Sequence, residues 1–223
     1  MSVLKEGYKK TEGGVIPEDW EVGTINDILE LRKESFNPIL EKNKKCIGLE
    51  YIEEASGRLI GFGNSNETTS IKSRFYKGDI LFGKLRPYLR KYYLAEFEGV
   101  CVTEMLTLMA NKSNNRFCYY KIQEDKFLED INNKTFGTKM PRTSWKEIRD
   151  YQICIPPVKE QVQIAQILSL IDYEIDEYEN KKQKLEELKK RGNATVINWK
   201  YKSFNKSLKY KNNYILKERE RIC

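Results

Sequence analysis

The sequence predicts an α+β protein: a mixed α/β head followed by one long coiled-coil α-helix. Strand-like Tyr151-Gln152-Ile153-Cys154-Ile155 runs into Pro156-Pro157, and neither proline can donate to a ladder or continue a helix. Beyond Val158-Lys159-Glu160-Gln161, apolar residues recur at three- and four-residue spacing: Ile164, Leu168, Ile171, Ile175, Tyr178 and then Leu185. Such a seam over three to four heptads marks a helix that pairs with another helix. Upstream, strand and helix patterns interleave without a βαβ repeat. The expected organisation is a head over residues 1–157, a helix over 158–195 and a basic tail over 196–223.

The elements follow in order. Val15-Ile16-Pro17 opens the head as a strand, and residues 19–29 read as a strand feeding a short helix. Ile47 to Ile52 is a strand candidate ending at the turn Ser56-Gly57. From Phe75 the pattern becomes densely β: Lys77-Gly78-Asp79 is a turn, Ile80-Leu81-Phe82 an apolar strand, and residues 90–95 and 100–110 further strands. Helical spacing over residues 115–131 places Phe117, Tyr120, Phe127, Leu128 and Ile131 on one face, a core arrangement rather than a base-stacking one. Trp145 begins another short helix, with Thr143 or Ser144 as its cap and Glu147 completing a capping box.

Composition narrows the function classes. Histidine is absent from the 223 residues, which removes the usual general base and the usual metal ligand. There is no dinucleotide or nucleotide phosphate loop and no zinc-protease motif. Glu50, Glu53, Glu54 and Asp79 have no recognisable ligand spacing and read as solvated carboxylates. Catalytic and metal residues are therefore expected to be none. The five scattered cysteines read as reduced thiols. With no secretory signal and no apolar run near the ~18 residues a bilayer span needs, a cytoplasmic location away from membranes is expected. The net charge of +7 is misleading: residues 196–223 carry +6 of it, leaving +1 for the rest. Affinity for an acidic polymer must come from local clusters.

Four stretches resemble one family in the same order. They are Gly14-Val15-Ile16-Pro17-Glu18-Asp19-Trp20; residues 78–91, Gly-Asp-Ile-Leu-Phe-Gly-Lys-Leu-Arg-Pro-Tyr-Leu-Arg-Lys; Gly137-Thr138-Lys139-Met140-Pro141-Arg142; and Ile155-Pro156-Pro157-Val158-Lys159-Glu160-Gln161 leading into Ile164-Ala165-Gln166-Ile167-Leu168. Together they resemble the specificity subunits of type I restriction-modification systems, from residue 14 to about 191. The resemblance is to a half subunit, with one target-recognition domain and one long helix where typical members have two of each. It implies a non-catalytic chain that binds double-stranded DNA sequence-specifically and holds methyltransferase subunits. The cofactor S-adenosylmethionine would sit on that partner and none on this chain, and a restriction subunit could join the complex.

In that light, residues 84–91 pack Lys84, Arg86, Arg90 and Lys91 around Tyr88. Arginine suits the guanine edge, and lysine or tyrosine suits phosphate. In a hairpin, alternation would aim Lys84, Arg86 and Tyr88 to one side with Pro87 at a bend. The competing reading is an edge strand blunted by charge. Thr138, Lys139, Arg142 and Thr143 sit in a small-residue loop that can meet phosphates, and Lys72 and Arg74 are weaker candidates beside a strand. In the long helix, Ile164, Leu168, Ile171, Ile175, Tyr178 and Leu185 form the expected dimerisation seam under a mixed-sign surface. A twofold dimer would read two inverted half-sites.

After Arg191-Gly192 the heptads dissolve. Codons compatible with Asn193-Ala194-Thr195-Val196-Ile197-Asn198-Trp199 give Met-Gln-Gln-Leu-Leu-Thr when shifted by one base, as family members continue. The tail is thus expected to be poorly ordered and out of frame. A stand-alone DNA-binding regulator with a coiled-coil dimerisation helix is the alternative function, and an adaptor that never touches nucleic acid is a third.

Overall fold

A computed structural model describes residues 6–12, 14–135 and 140–191. It is a mixed α and β structure ending in one long helix. The expected tail, and Thr138 and Lys139 with it, lie outside the described residues.

Two small antiparallel pairs frame the head. β1 (Tyr8–Thr11) pairs with β2 (Gly14–Pro17), and β3 (Glu21–Thr24) pairs with β13 (Gln152–Ile155), Thr24 opposite Gln152. Thr24 then caps α1 (Ile25–Ile28): its backbone N–H donates to the Asp27 carboxylate at 2.6 Å, which satisfies an otherwise orphaned donor of the first turn.

The central layer is a four-stranded antiparallel sheet in the order β10 (Tyr92–Leu94), β9 (Ile80–Gly83), β12 (Met105–Ala110), β4 (Leu29–Leu31). One face meets a five-stranded sheet in the order β5 (Ser35–Phe36), β8 (Lys72–Phe75), β11 (Gly99–Cys101), β6 (Lys45–Ile47), β7 (Gly63–Asn64), with β11 and β6 parallel. The shared core draws Leu81, Tyr93 and Met105 from the first sheet and Ile47, Phe75 and Cys101 from the second. The opposite face is covered by α3 (Asp125–Lys134), whose Phe127 meets Phe82 edge-on at 6.2 Å. Both faces of β9 are therefore dry, and Ile80, Leu81 and Phe82 are all buried. A strand covered on both sides reads as a continuous apolar run rather than an alternation.

Several expectations divide more finely. Residues 100–110 are two strands in different sheets, because the chain turns between them with Met105 N–H donating to the Val102 carbonyl at 3.0 Å. Residues 115–131 are two helices, α2 (Asn115–Lys121) and α3. At their break the Gln123 side-chain amide takes the Tyr119 carbonyl at 3.0 Å. Ile47 to Ile52 is strand only as far as Ile47, followed by a 3-10 turn at Leu49–Tyr51. Phe117 and Tyr120 are buried in the core, as their spacing implies. The short helix α4 (Trp145–Arg149) carries the expected capping box, formed by Ser144 and Glu147.

Asp79 corrects the expectation of a solvated turn carboxylate. It is buried, and accepts from Arg32 Nε at 2.8 Å, Arg32 Nη2 at 3.0 Å and the Tyr76 backbone N–H at 2.8 Å. That pair clamps the start of β9 to the chain leaving β4. The Asp79 hydrogen bond raises the Arg32 pKa above its ordinary value, against the desolvation that lowers it.

Residues through Val162 form one compact unit and those from Gln163 a second. The long helix α5 (Val158–Arg191) starts within the first unit. Gln161 is buried there, donating to the Pro156 carbonyl at 3.0 Å and accepting the Asn114 N–H at 2.8 Å, while Trp20 Nε1 donates to Glu160 at 2.8 Å. The Pro-Pro-Val-Lys-Glu-Gln stretch thus does more than stop a strand: its Glu160 and Gln161 side chains pin the first helical turn. In the second unit Ile164, Ile171, Ile175, Tyr178 and Leu185 are half-buried, and Ile167, Leu170 and Tyr173 are exposed. Leu168 is only 1% exposed in the single chain, so it is not free for a partner as the seam implied. No helix among the described residues is long and apolar enough to cross a membrane.

Candidate nucleic-acid interface

β9 ends at Gly83, and the chain does not continue as the straight hairpin that alternation suggested. Residues 84–86 instead run between two neighbours. On one side Lys84 N–H donates to the Glu104 carbonyl at 2.8 Å. On the other, Thr143 N–H donates to the Lys84 carbonyl at 3.0 Å, Arg86 N–H donates to the Pro141 carbonyl at 2.8 Å, and Leu85 bridges Arg142. Three segments distant in sequence are thereby fixed side by side.

The tip is a 3-10 turn, Pro87–Leu89, with buried Pro87 at its first position. Proline's fixed φ suits that place and its missing N–H costs nothing there. Arg86 and Arg90 flank the turn, both left-handed at φ 51° and 53°. Side chains other than glycine adopt that region at a cost of about 1–2 kcal/mol. Two arginines held there are a local strain that the surrounding hydrogen bonds maintain.

The predicted contact residues separate sharply. Arg86 is exposed, and its guanidinium has no ion-pair partner among the described residues; Tyr88 is 51% exposed. Arg142 is half-exposed and donates to Glu104 through Nε at 3.0 Å and Nη2 at 3.4 Å. That bond raises its pKa above the ordinary guanidinium value. Lys84 is half-buried, and its charge acts to lower the Cys101 thiol, which desolvation nonetheless pushes up to about 12. The backbones that carry Lys84, Arg86 and Arg142 lie side by side, with Tyr88 on the adjoining turn.

The others are not available. Arg90 pairs with Asp125 at 2.6 Å, and the Lys91 ammonium donates to the Leu49 carbonyl at 2.9 Å. Thr143 is 4% exposed, with a hydroxyl that finds no partner among the described residues. Lys72 is 5% exposed and bonds the hydroxyls of Thr68 and Ser70. Arg74 lies over the Phe36 ring and pairs with Glu41. Lys72 and Thr143 are buried, and Arg74, Arg90 and Lys91 are engaged by partners already in place. Glu104 and Asp125 escaped the sequence reading because nothing nearby in sequence pairs them with an arginine.

Exposed arginine and tyrosine on the loop between β9 and β10 have the chemistry that suits a polyanion. The chain matches the family model described as type I restriction modification DNA specificity domain over residues 17–190, and it belongs to that family. Among curated relatives, it is 30% identical over 183 residues to a putative type I restriction enzyme MjaX specificity subunit of Methanocaldococcus jannaschii, covering 75% of this chain and 43% of that protein. It is 26% identical to the EcoDI specificity subunit of Escherichia coli, covering 71% and 36%. The fold is similar to the HsdS subunit from Thermoanaerobacter tengcongensis, with a TM-score of 0.64, 18% identity, and coverage of 79% of this chain and 47% of that one. The chain thus spans less than half the length of these relatives.

Proposed function

We propose that this chain is the non-catalytic DNA-recognition component of a type I adenine methyltransferase complex. The observation that carries the proposal is the family match across residues 17–190, with an exposed Arg86, unpaired among the described residues, beside the turn that presents Tyr88. Arg86 and Tyr88 would meet the duplex, with Arg142 beside them. Methyltransferase subunits would bring S-adenosylmethionine and carry out the transfer, in the cytoplasm where the host DNA lies. A restriction subunit would be needed for cleavage.

Helix α5 would supply the second contact surface. Ile171, Ile175, Tyr178 and Leu185 stay partly open, and Ile167, Leu170 and Tyr173 are exposed. Packing them against the same helix of a second copy buries apolar area at about 25 cal/mol per Å². Such a twofold dimer would present two heads to inverted half-sites at a fixed spacing.

The test is adenine-methylation mapping of the host genome with the gene intact, deleted, and carrying Arg86→Ala. A bipartite inverted motif should be methylated with the gene intact, vanish on deletion and weaken in the variant. A methylome unchanged by deletion would rule the proposal out.

A further inference from the structure

Glu104 places a carboxylate on a surface proposed to meet DNA, where an anion should be a handicap. Its geometry explains its presence. Arg142 uses Nε and Nη2 to hold Glu104, which is the side edge of the guanidinium. Of five N–H groups, three remain, and one on Nη1 with the second on Nη2 form the end edge. Both side chains stay open to solvent at 52% and 37%. The backbones are also fixed: Arg142 by its bridge to Leu85, and Glu104 by the Lys84 N–H at its carbonyl.

An end edge of two parallel donors matches the paired acceptors O6 and N7 of guanine in the major groove. A phosphate would fit the same donors, but its charge would sit beside Glu104, and like charges at that range repel. The guanine edge is neutral. Glu104 therefore admits a base and discourages a phosphate, while Arg86, with no ion-pair partner among the described residues, is suited to the backbone.

We infer that Arg142, held edge-on by Glu104, reads a guanine of the target duplex through its free end edge, and that Glu104 is the positioning residue that fixes it. This rests on the DNA-recognition reading above.

The test is selection from a randomised duplex library by the full chain, purified from its own host with whatever proteins accompany it. Wild type, R142A, R142K and E104Q are compared. Wild type should enrich a motif containing a G·C pair. R142A and R142K should lose preference at one such pair by on the order of ten- to a hundredfold and keep it elsewhere, since lysine retains the charge but not the fork. E104Q should lose preference at the same position by a smaller factor while its affinity for unselected duplex rises. That opposite movement is not expected of a merely structural ion pair. The pair is solvent-exposed, so all variants should unfold at nearly the parental temperature. Uniform weakening at every position with rescue by R142K would make Arg142 a phosphate contact and overturn the inference. Unchanged preferences in all three variants would also overturn it. A wild-type chain that enriches no sequence would instead sink the DNA-recognition reading, and this inference with it.

Discussion

Replacing Arg86 by glycine should make the protein slightly more stable and a weaker DNA binder at once. Arg86 sits at φ 51° and ψ 63°. Glycine would relieve about 1–2 kcal/mol of left-handed strain, offset by about 0.4–1 kcal/mol from the freer unfolded chain. The net gain is roughly 0.5 kcal/mol, or about 1–2 °C in melting temperature for a unit of this size. Binding moves the other way. One lost phosphate contact should lower the slope of log K against log salt by about 0.9, and a charge-assisted hydrogen bond contributes roughly 1.5–3 kcal/mol. Arg90→Gly is the internal control. Arg90 is equally left-handed, but its guanidinium is already paired with Asp125. That exposed pair contributes about 0–1 kcal/mol, so R90G should change stability little and leave the salt slope intact. The assays are thermal unfolding and a salt titration of binding to the enriched duplex. An R86G protein less stable than its parent would show that the side chain serves the fold. An unchanged salt slope would show that it meets no phosphate.

Asp79→Ala should cost about 3 kcal/mol, lowering the melting temperature by roughly 6–12 °C, because it leaves the largely buried Arg32 guanidinium with the half-exposed Glu34 and the Tyr76 ring; a loss below about 1 kcal/mol would contradict the clamp assigned to that pair. Glu147 has its pKa lowered from 4.5, chiefly by the Ser144 side-chain hydrogen bond. A carboxylate depressed in the folded state stabilises above its unfolded pKa, and that contribution is lost as pH falls through the folded value. Glu147→Gln should therefore flatten the acid limb of the stability curve below about pH 4.5, and an unchanged acid limb would remove the capping box from the account.

Much of the fold was legible because its signals are local. The Pro156-Pro157 stop, the four-residue capping box and the helical spacing of Phe127, Leu128 and Ile131 each depend on neighbours within a turn or two. Residues 100–110 misled because a strand in one sheet and a strand in the next are both apolar, and only pairing with the distant strands β6 and β8 assigns the first of them. The basic cluster was visible as composition, yet its alternation was wrong: a 3-10 turn replaces the strand that would have aimed alternate side chains together.

The amino-acid sequence by itself settled which kinds of element follow one another, where the long helix begins and which stretches bear the family's stamp, since backbone preference and apolar period act over a few residues. Tertiary structure alone decided which cations remain free. Arg142 meets a carboxylate 38 residues away, Lys91 a carbonyl 42 away and Arg32 a carboxylate 47 away, whereas Arg86 meets none among the described residues. Coulombic pairing depends on distance in space, and only the tertiary arrangement of strands and loops fixes that distance.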